Sequence, residues 1–265
     1  MKFGVIGYGK MGSAIVRGAI SAGVLNRKDI CVYEVSECAI AELSVQGIAT
    51  AKNASELFNK CDTVLFAIKP QEAKAVIASV ENLANCGLIL SIMAGVPLSA
   101  FEALGKIAVA RIMPNTCAVI GESSSAICYN SYASKDDIAF TQKLFGAIGK
   151  YVEVEEKFMD DIIPLHGSFN AYAYLFMKAF IDSAVKRGID EETAKSLVTQ
   201  SMIGSAKMAQ TYGDLNKLIS DVCSKGGTTL AGLEKLYDGN FEKIIDDCSI
   251  ACANRSKELG KEFFK

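Results

Sequence analysis

The chain has 265 residues, half of them apolar and 22% charged, which is a globular composition rather than a disordered or fibrous one. Twenty-eight Lys and Arg against 30 Asp and Glu leave a net charge of −2, so no general basic field draws it to nucleic acid or anionic lipid. No apolar run approaches the roughly 18 residues that cross a bilayer, which removes a membrane from the expected partners.

Lys2 to Ile6 reads as a short apolar strand, followed by a glycine turn and a helix over Met11–Ala22. Gly7, Gly9 and Lys10 break that apolar run, and no small-residue cleavage site follows a continuous core. The stretch is therefore read as structure rather than as a secretion signal, and the chain is expected to be cytoplasmic. Ile30–Glu34 forms a second strand and residues 62–68 a third, apolar on both faces. Leu88–Met93, Ile107–Met113, Ser124–Tyr129 and Tyr151–Val154 are further strands, with helices over Ala39–Val45, Ala73–Leu83 and Lys135–Ile148. The alternation predicts an α/β fold, a doubly wound and largely parallel Rossmann-type domain over residues 1–156.

After residue 156 the pattern changes. Only helical periodicity remains, with breaks near Gly188, Gly213, Gly226-Gly227 and Gly239, so residues 157–265 form an all-helical second domain. The segment Ala171–Phe180 is apolar on more than one side of a helix, as expected of an element buried in a subunit interface. The nine cysteines are odd in number and scattered, without any C-x-x-C. Cys31, Cys61, Cys86, Cys117 and Cys128 lie in or beside apolar segments and act as small hydrophobes. Cys248 and Cys252 share a helix face, but His166 is the single histidine, and a zinc site takes about four ligands. No metal is expected, and the thiols suit a reducing compartment.

Two stretches carry chemistry. Gly7-Tyr8-Gly9-Lys10-Met11-Gly12 is G-x-G-x-x-G between a strand and a helix. Gly7 permits the tight turn, Gly9 lets backbone approach a pyrophosphate, and Gly12 lets the helix pack on the strand. The helix start then offers the free N–H groups of Lys10, Met11 and Gly12 to phosphate. Glu34 ends the second strand about 20 residues later, where a carboxylate accepts from a ribose 2′-OH and repels a 2′-phosphate. Taken with the glycine loop it favours NAD(H) over NADP(H); taken alone it is as readily a surface carboxylate. Ser224-Lys225-Gly226-Gly227-Thr228-Thr229-Leu230-Ala231-Gly232-Leu233 places two glycines and two threonines before a helix. Such a loop either holds a carboxylate through backbone N–H groups, leaving a threonine hydroxyl at the reacting atom, or is an ordinary N-cap.

That second loop resembles the Ser-Pro-Gly-Gly-Thr-Thr signature of the pyrroline-5-carboxylate reductases. The resemblance extends through Gly7–Gly12, Ala67-Ile68-Lys69-Pro70, Ala94-Gly95-Val96 and Met113-Pro114-Asn115-Thr116, in family order and spacing. It implies reduction of a cyclic imine acid, (S)-1-pyrroline-5-carboxylate, to L-proline by hydride from NAD(P)H. By matching positions, Thr229 bonds the imine nitrogen, and Ser224, Lys225, Gly226, Gly227 and Thr228 hold the substrate carboxylate. Asn53, Ala67 and Lys69 fall on the adenosine and phosphate side of the cofactor, and Ala94, Met113 and Asn115 toward the nicotinamide. The family also implies an intertwined homodimer, in which one subunit's substrate loop completes the other's site, often built further into decamers.

Two departures stand out. The loop proline of the family is Lys225, and its Ser-Gly-Ser-Gly-Pro-Ala-Tyr segment reads His166-Gly167-Ser168-Phe169-Asn170-Ala171-Tyr172. His166 is either a proton donor or a residue that packs or caps, and the second is favoured because no orienting partner is visible. The altered segment leaves a different cyclic imine acid, or a non-catalytic NAD(H) sensor, as alternatives. A hydroxyacid dehydrogenase is disfavoured: Lys178 is followed by Ala179 and Phe180, with Asp182 four on, rather than by an asparagine.

Overall fold

The computed structural model describes residues 2–80, 83 and 85–263. It divides into two compact units: one runs through Ser168 and resumes at Ile250, and the other is Phe169–Ser249.

The first unit lays down β1 (Phe3–Ile6), α1 (Lys10–Ser21), β2 (Ile30–Tyr33), α2 (Glu37–Val45), β3 (Ala49–Thr50), α3 (Ala54–Lys60) and β4 (Thr63–Phe66). It continues with α4 (Pro70–Ala78), β5 (Leu88–Ser91), β6 (Ala108–Met113), β7 (Ser123–Tyr129), α5 (Lys135–Gly146), β8 (Gly149–Glu153) and the single turn α6 (Ile163–His166). The strands form one eight-stranded sheet in the order β3-β2-β1-β4-β5-β6-β7-β8. Every pairing is parallel except β6 with β7. The expected doubly wound domain is therefore present. The exception has a simple cause: a short 3-10 turn, Thr116–Ile120, joins β6 to β7, and a parallel return takes a crossover of about a dozen residues or more.

Alternate strand residues feed two cores. Phe3, Val5, Leu65, Leu88, Leu90 and Ala110 pack with Ile15, Val16 and Phe145 on one face. Val64, Phe66, Ile89 and Val109 pack with Phe58, Ala73 and Phe101 on the other. Burial on both faces is why these strands read as continuous apolar runs, and each such large side chain contributes about 1.5–3 kcal/mol.

Several boundaries move. The helix expected from Ala73 starts at Pro70, because proline at the first helical position has its φ already set. It ends at Ala78, and Glu81 and Asn82 of the expected continuation lie outside the described residues. The last strand begins at Gly149, two residues before the expected Tyr151. Gly149 has φ 153°, and a Cβ there would meet the Ser123 carbonyl oxygen at 2.0 Å, so β8 docks on β7 through a bare backbone. The exposed two-residue strand β3 and the 3-10 turn Leu98–Leu104 carry no periodicity long enough to read.

The packing boundary also falls later than residue 156. Arg111 on β6, 4% exposed, pairs with Asp160 at 2.8 Å and Glu156 at 3.7 Å. Ser256 Oγ donates to the same Asp160 at 2.7 Å. Gly95 and Gly260 approach so closely that a Cβ on Gly260 would lie 2.6 Å from the Gly95 oxygen. A buried cation needs its counter-charges, and the nearer of the two, Asp160, comes from beyond residue 156.

The second unit is helical throughout: α7 (Phe169–Val185), α8 (Glu191–Tyr212), α9 (Leu215–Val222), α10 (Thr228–Asp238) and the first part of α11 (Phe241–Phe263). The gaps fall at the four glycine sites read from the sequence. Asp190 and Asp214 cap α8 and α9 by accepting from Thr193 N and Lys217 N, each at 3.0 Å. Ala184 and Ala194 are the buried apolar residues among those described in this unit, while Tyr174, Leu175, Phe180, Leu197, Ile219 and Ile244 stay exposed.

Candidate active site

The glycine loop follows β1. Gly7 takes φ 90° and donates its N–H to Tyr33 O at 2.9 Å. A Cβ on Gly12 would sit 2.4 Å from Gly7 O, so α1 reaches the turn only with glycine there. Around Gly9 the same construction meets nothing within 4 Å. Backbone at Gly9 thus faces open space, and the first-turn N–H groups of Lys10, Met11 and Gly12 lack intrahelical acceptors. Strand order reverses between β1 and β4, so their carboxyl ends border a crevice. A cavity of about 620 Å³ lies there, lined by Gly7, Gly9, Glu34, Ala67 and Lys69 among others. Five residues singled out for the cofactor therefore converge. Val35, Ile68 and Val76 add an apolar wall that the sequence reading missed, because an isolated apolar residue in a loop or on a helix face carries no signal.

Glu34 is held firmly. Its Oε2 accepts from Tyr8 N at 2.6 Å, and its Oε1 accepts from Val35 N at 2.7 Å and Ser36 N at 2.9 Å. Burial alone would raise its pKa, but these three donors outweigh it and keep the carboxyl below the usual glutamate value. A fixed negative charge rims the cavity.

Asn53, Ala94, Met113 and Asn115, also expected to meet the cofactor, do not line this cavity. Asn53 caps α3 by accepting from Glu56 N at 2.8 Å. Ala94 is half-buried just after β5, and Met113 ends β6. Asn115 is buried; its Oδ1 accepts from Cys117 N at 3.2 Å and its Nδ2 donates to His166 O at 3.2 Å. One donor and one acceptor site of its amide are thus used within the protein.

In the second unit, Gly226 takes φ 70°, and Gly227 N donates to Ser224 O at 2.9 Å. The Gly227 N–H is thereby used inside the turn and is not free for a carboxylate, which narrows the expected donor set. Thr228 and Thr229 open α10, whose first-turn N–H groups and hydroxyls remain as donors. Thr229 lines a cavity of about 640 Å³ between α8, α9 and α10, with Met208, Leu218 and Leu233 among its apolar walls.

Comparison with known proteins decides the lineage. Residues 156–259 match the family model for pyrroline-5-carboxylate reductase dimerisation, and residues 2–95 match that for NADP oxidoreductase, coenzyme F420-dependent. Pyrroline-5-carboxylate reductase of Methanosarcina acetivorans is 35% identical over 98% of both chains. The chain belongs to the pyrroline-5-carboxylate reductase family. The Arabidopsis thaliana member is 34% identical over 98% of this chain and 96% of its own. The crystal structure of the Plasmodium falciparum enzyme, with NADP bound, superimposes with a TM-score of 0.90 at 28% identity, covering 98% of each chain. Membership makes this an NAD(P)-dependent oxidoreductase acting on a C=N bond, with a dimerisation domain.

His166 ends the single turn α6. The ring is 7% exposed, with Nδ1 2.9 Å from Ile162 O and Nε2 2.8 Å from Met113 O. Both nitrogens face carbonyl oxygens. The orienting partners not visible in the sequence are main-chain groups, and the packing reading stands over the proton-donor one.

Proposed function

We propose that this chain reduces (S)-1-pyrroline-5-carboxylate to L-proline, preferring NADH to NADPH, as a cytoplasmic homodimer or a higher assembly of dimers. The observation that carries the reading is the glycine-lined cavity at the β1/β4 crossover in a chain matched end to end by pyrroline-5-carboxylate reductases.

The cavity fits a dinucleotide. Gly9 leaves room for a pyrophosphate, the start of α1 supplies N–H donors, and Lys69 adds a cation at the rim. Glu34 favours a ribose 2′-OH for two reasons. Its charge repels a 2′-phosphate, and it has taken the Val35 and Ser36 N–H groups that such a phosphate would use. Ala94, Met113 and Asn115 form the nicotinamide side. When bound, the reduced nicotinamide supplies a hydride.

On the second unit, the hydroxyls and first-turn N–H groups at Ser224, Thr228 and Thr229 hold the carboxylate, with Lys225 adding charge attraction. Thr229 Oγ1 bonds the imine nitrogen and orients the C=N bond. A protonated imine accepts hydride without a strong general acid, so placement dominates the rate. The exposed apolar helix faces of this unit fit burial in a dimer. Among the described residues, no helix is long and apolar enough to cross a membrane. Substitutions at Phe169 and Asn170, beside His166, favour a second reading, a neighbouring cyclic imine acid as substrate.

Purified protein should oxidise NADH faster than NADPH in the presence of pyrroline-5-carboxylate, with proline as product. NADH binding without turnover would overturn the substrate and leave the cavity assignment standing.

A further inference from the structure

The one histidine forms a clasp. Its ring Nε2 meets Met113 O at 2.8 Å, its main-chain oxygen accepts from Asn115 Nδ2 at 3.2 Å, and Pro114 lies between the two points. The ring's Nδ1 contacts Ile162 O at 2.9 Å, one turn back in the chain. Carbonyl oxygens only accept, so the tautomer decides which contact carries a ring N–H, and both nitrogens are enclosed against main chain rather than turned to a substrate. The turn so gripped is itself tight: Asn115 N donates to Ser123 Oγ at 3.3 Å, and a Cβ on Gly167 would lie 3.1 Å from Met113 Cε. A serine at this position has one polar atom close to its own backbone. It cannot bridge from Ile162 O to Met113 O as an imidazole does.

We propose that His166 is a positioning residue that sets the place of the Met113–Asn115 turn, and through it the nicotinamide-side wall of the cofactor site. The proposal rests on the reading above that Met113 and Asn115 flank the nicotinamide. The ring acts through Met113 O and touches neither cofactor nor substrate. Segments that hold reacting groups repay such fixing, because small misplacements cost rate far more than they cost binding. Asn115 gives one amide N–H to the clasp, which fixes the orientation of its side chain in that wall.

The test uses full-length protein with His166→Ala and His166→Gln. For His166→Ala, kcat should fall about tenfold while the KM for the imine and the Kd for NADH move less than about twofold. Gln retains one N–H donor of similar reach and should recover kcat to within about threefold of the parent. Amide exchange at residues 115–117 should quicken in His166→Ala and return toward the parent in His166→Gln. The emission of bound NADH, which reports the nicotinamide surroundings, should shift in His166→Ala only.

Unchanged amide exchange in a folded His166→Ala would overturn the clasp. Faster exchange with unchanged kcat and unchanged NADH emission would overturn the positioning role. If Ala and Gln are equally impaired, with NADH binding lost in both, the residue is simply structural and the proposal fails. If the parent does not reduce pyrroline-5-carboxylate, the substrate reading fails; the exchange and emission results still decide the clasp.

Discussion

The two units solve the problem of burial in opposite ways. In the sheet unit, strands such as Phe3–Ile6 and Thr63–Phe66 are buried on both faces, and large side chains including Phe58, Phe66, Phe101 and Phe145 are fully enclosed. In the helical unit, Leu175 is 68% exposed and Leu197 64%, while alanines supply the buried apolar residues among those described. A helical segment of this size with so little enclosed surface does not close a core of its own. The difference separates a sheet unit that closes its own cores from a dimerisation unit whose apolar helix faces need further surface to cover them.

Four substitutions bear on that contrast. The largest effect is expected from Leu175→Glu, which puts a charge on the apolar face of α7. If a second copy covers that face, burying the unpaired carboxylate costs several kcal/mol, on the order of 3 or more. Light scattering should then report monomers, and turnover should fall by about a hundredfold or more, while NADH still binds. A dimer with full activity would mean that this face is not the covered one. Thr229→Ala comes next, with kcat lowered about a hundredfold, in the range found when one oriented hydroxyl or amide is removed, and NADH affinity unchanged. An unaltered rate removes Thr229 from the chemistry.

Gly12→Ala probes the other unit. Its methyl group would press on Gly7 O from 2.4 Å, a strain of about 1–3 kcal/mol that should lower Tm and weaken NADH without dissociating the assembly. Loss of the dimer in this variant would show that the two units are not independent. Glu34→Ser is the mildest. It removes the fixed charge and frees Val35 N and Ser36 N, and should move the ratio of NADPH to NADH efficiency upward about tenfold. A fixed ratio would mean that Glu34 serves only to brace Tyr8 and the glycine loop.

Much of the sheet unit is legible in the sequence. Gly7, Gly9 and Gly12 occupy a strand-turn-helix whose local sterics leave little freedom, and the open space at Gly9 and the blocked space at Gly12 match the roles read from spacing alone. Glu34 was placed at the strand end, yet nothing local announced that its carboxylate would gather three main-chain donors, one of them from Tyr8 across the loop. Asn53 and Asn115 show the limit from the other side. Each also accepts a main-chain N–H at the start of the helix or turn that follows it, an outcome set by backbone geometry.

By itself the sequence determined the period of the longer strands and helices, the glycine-governed turns, the helical character of the second half and the family. The first three follow from local sterics and short-range patterning, which act over a few residues, and the family from motif resemblance along the chain. Tertiary structure alone decided the antiparallel β7, the later packing boundary built on Arg111 and Asp160, and the grip of His166 on Met113 O. Each depends on groups far apart in the chain: the hydrogen-bonding and charge demands of a buried atom are met by whatever the fold brings beside it.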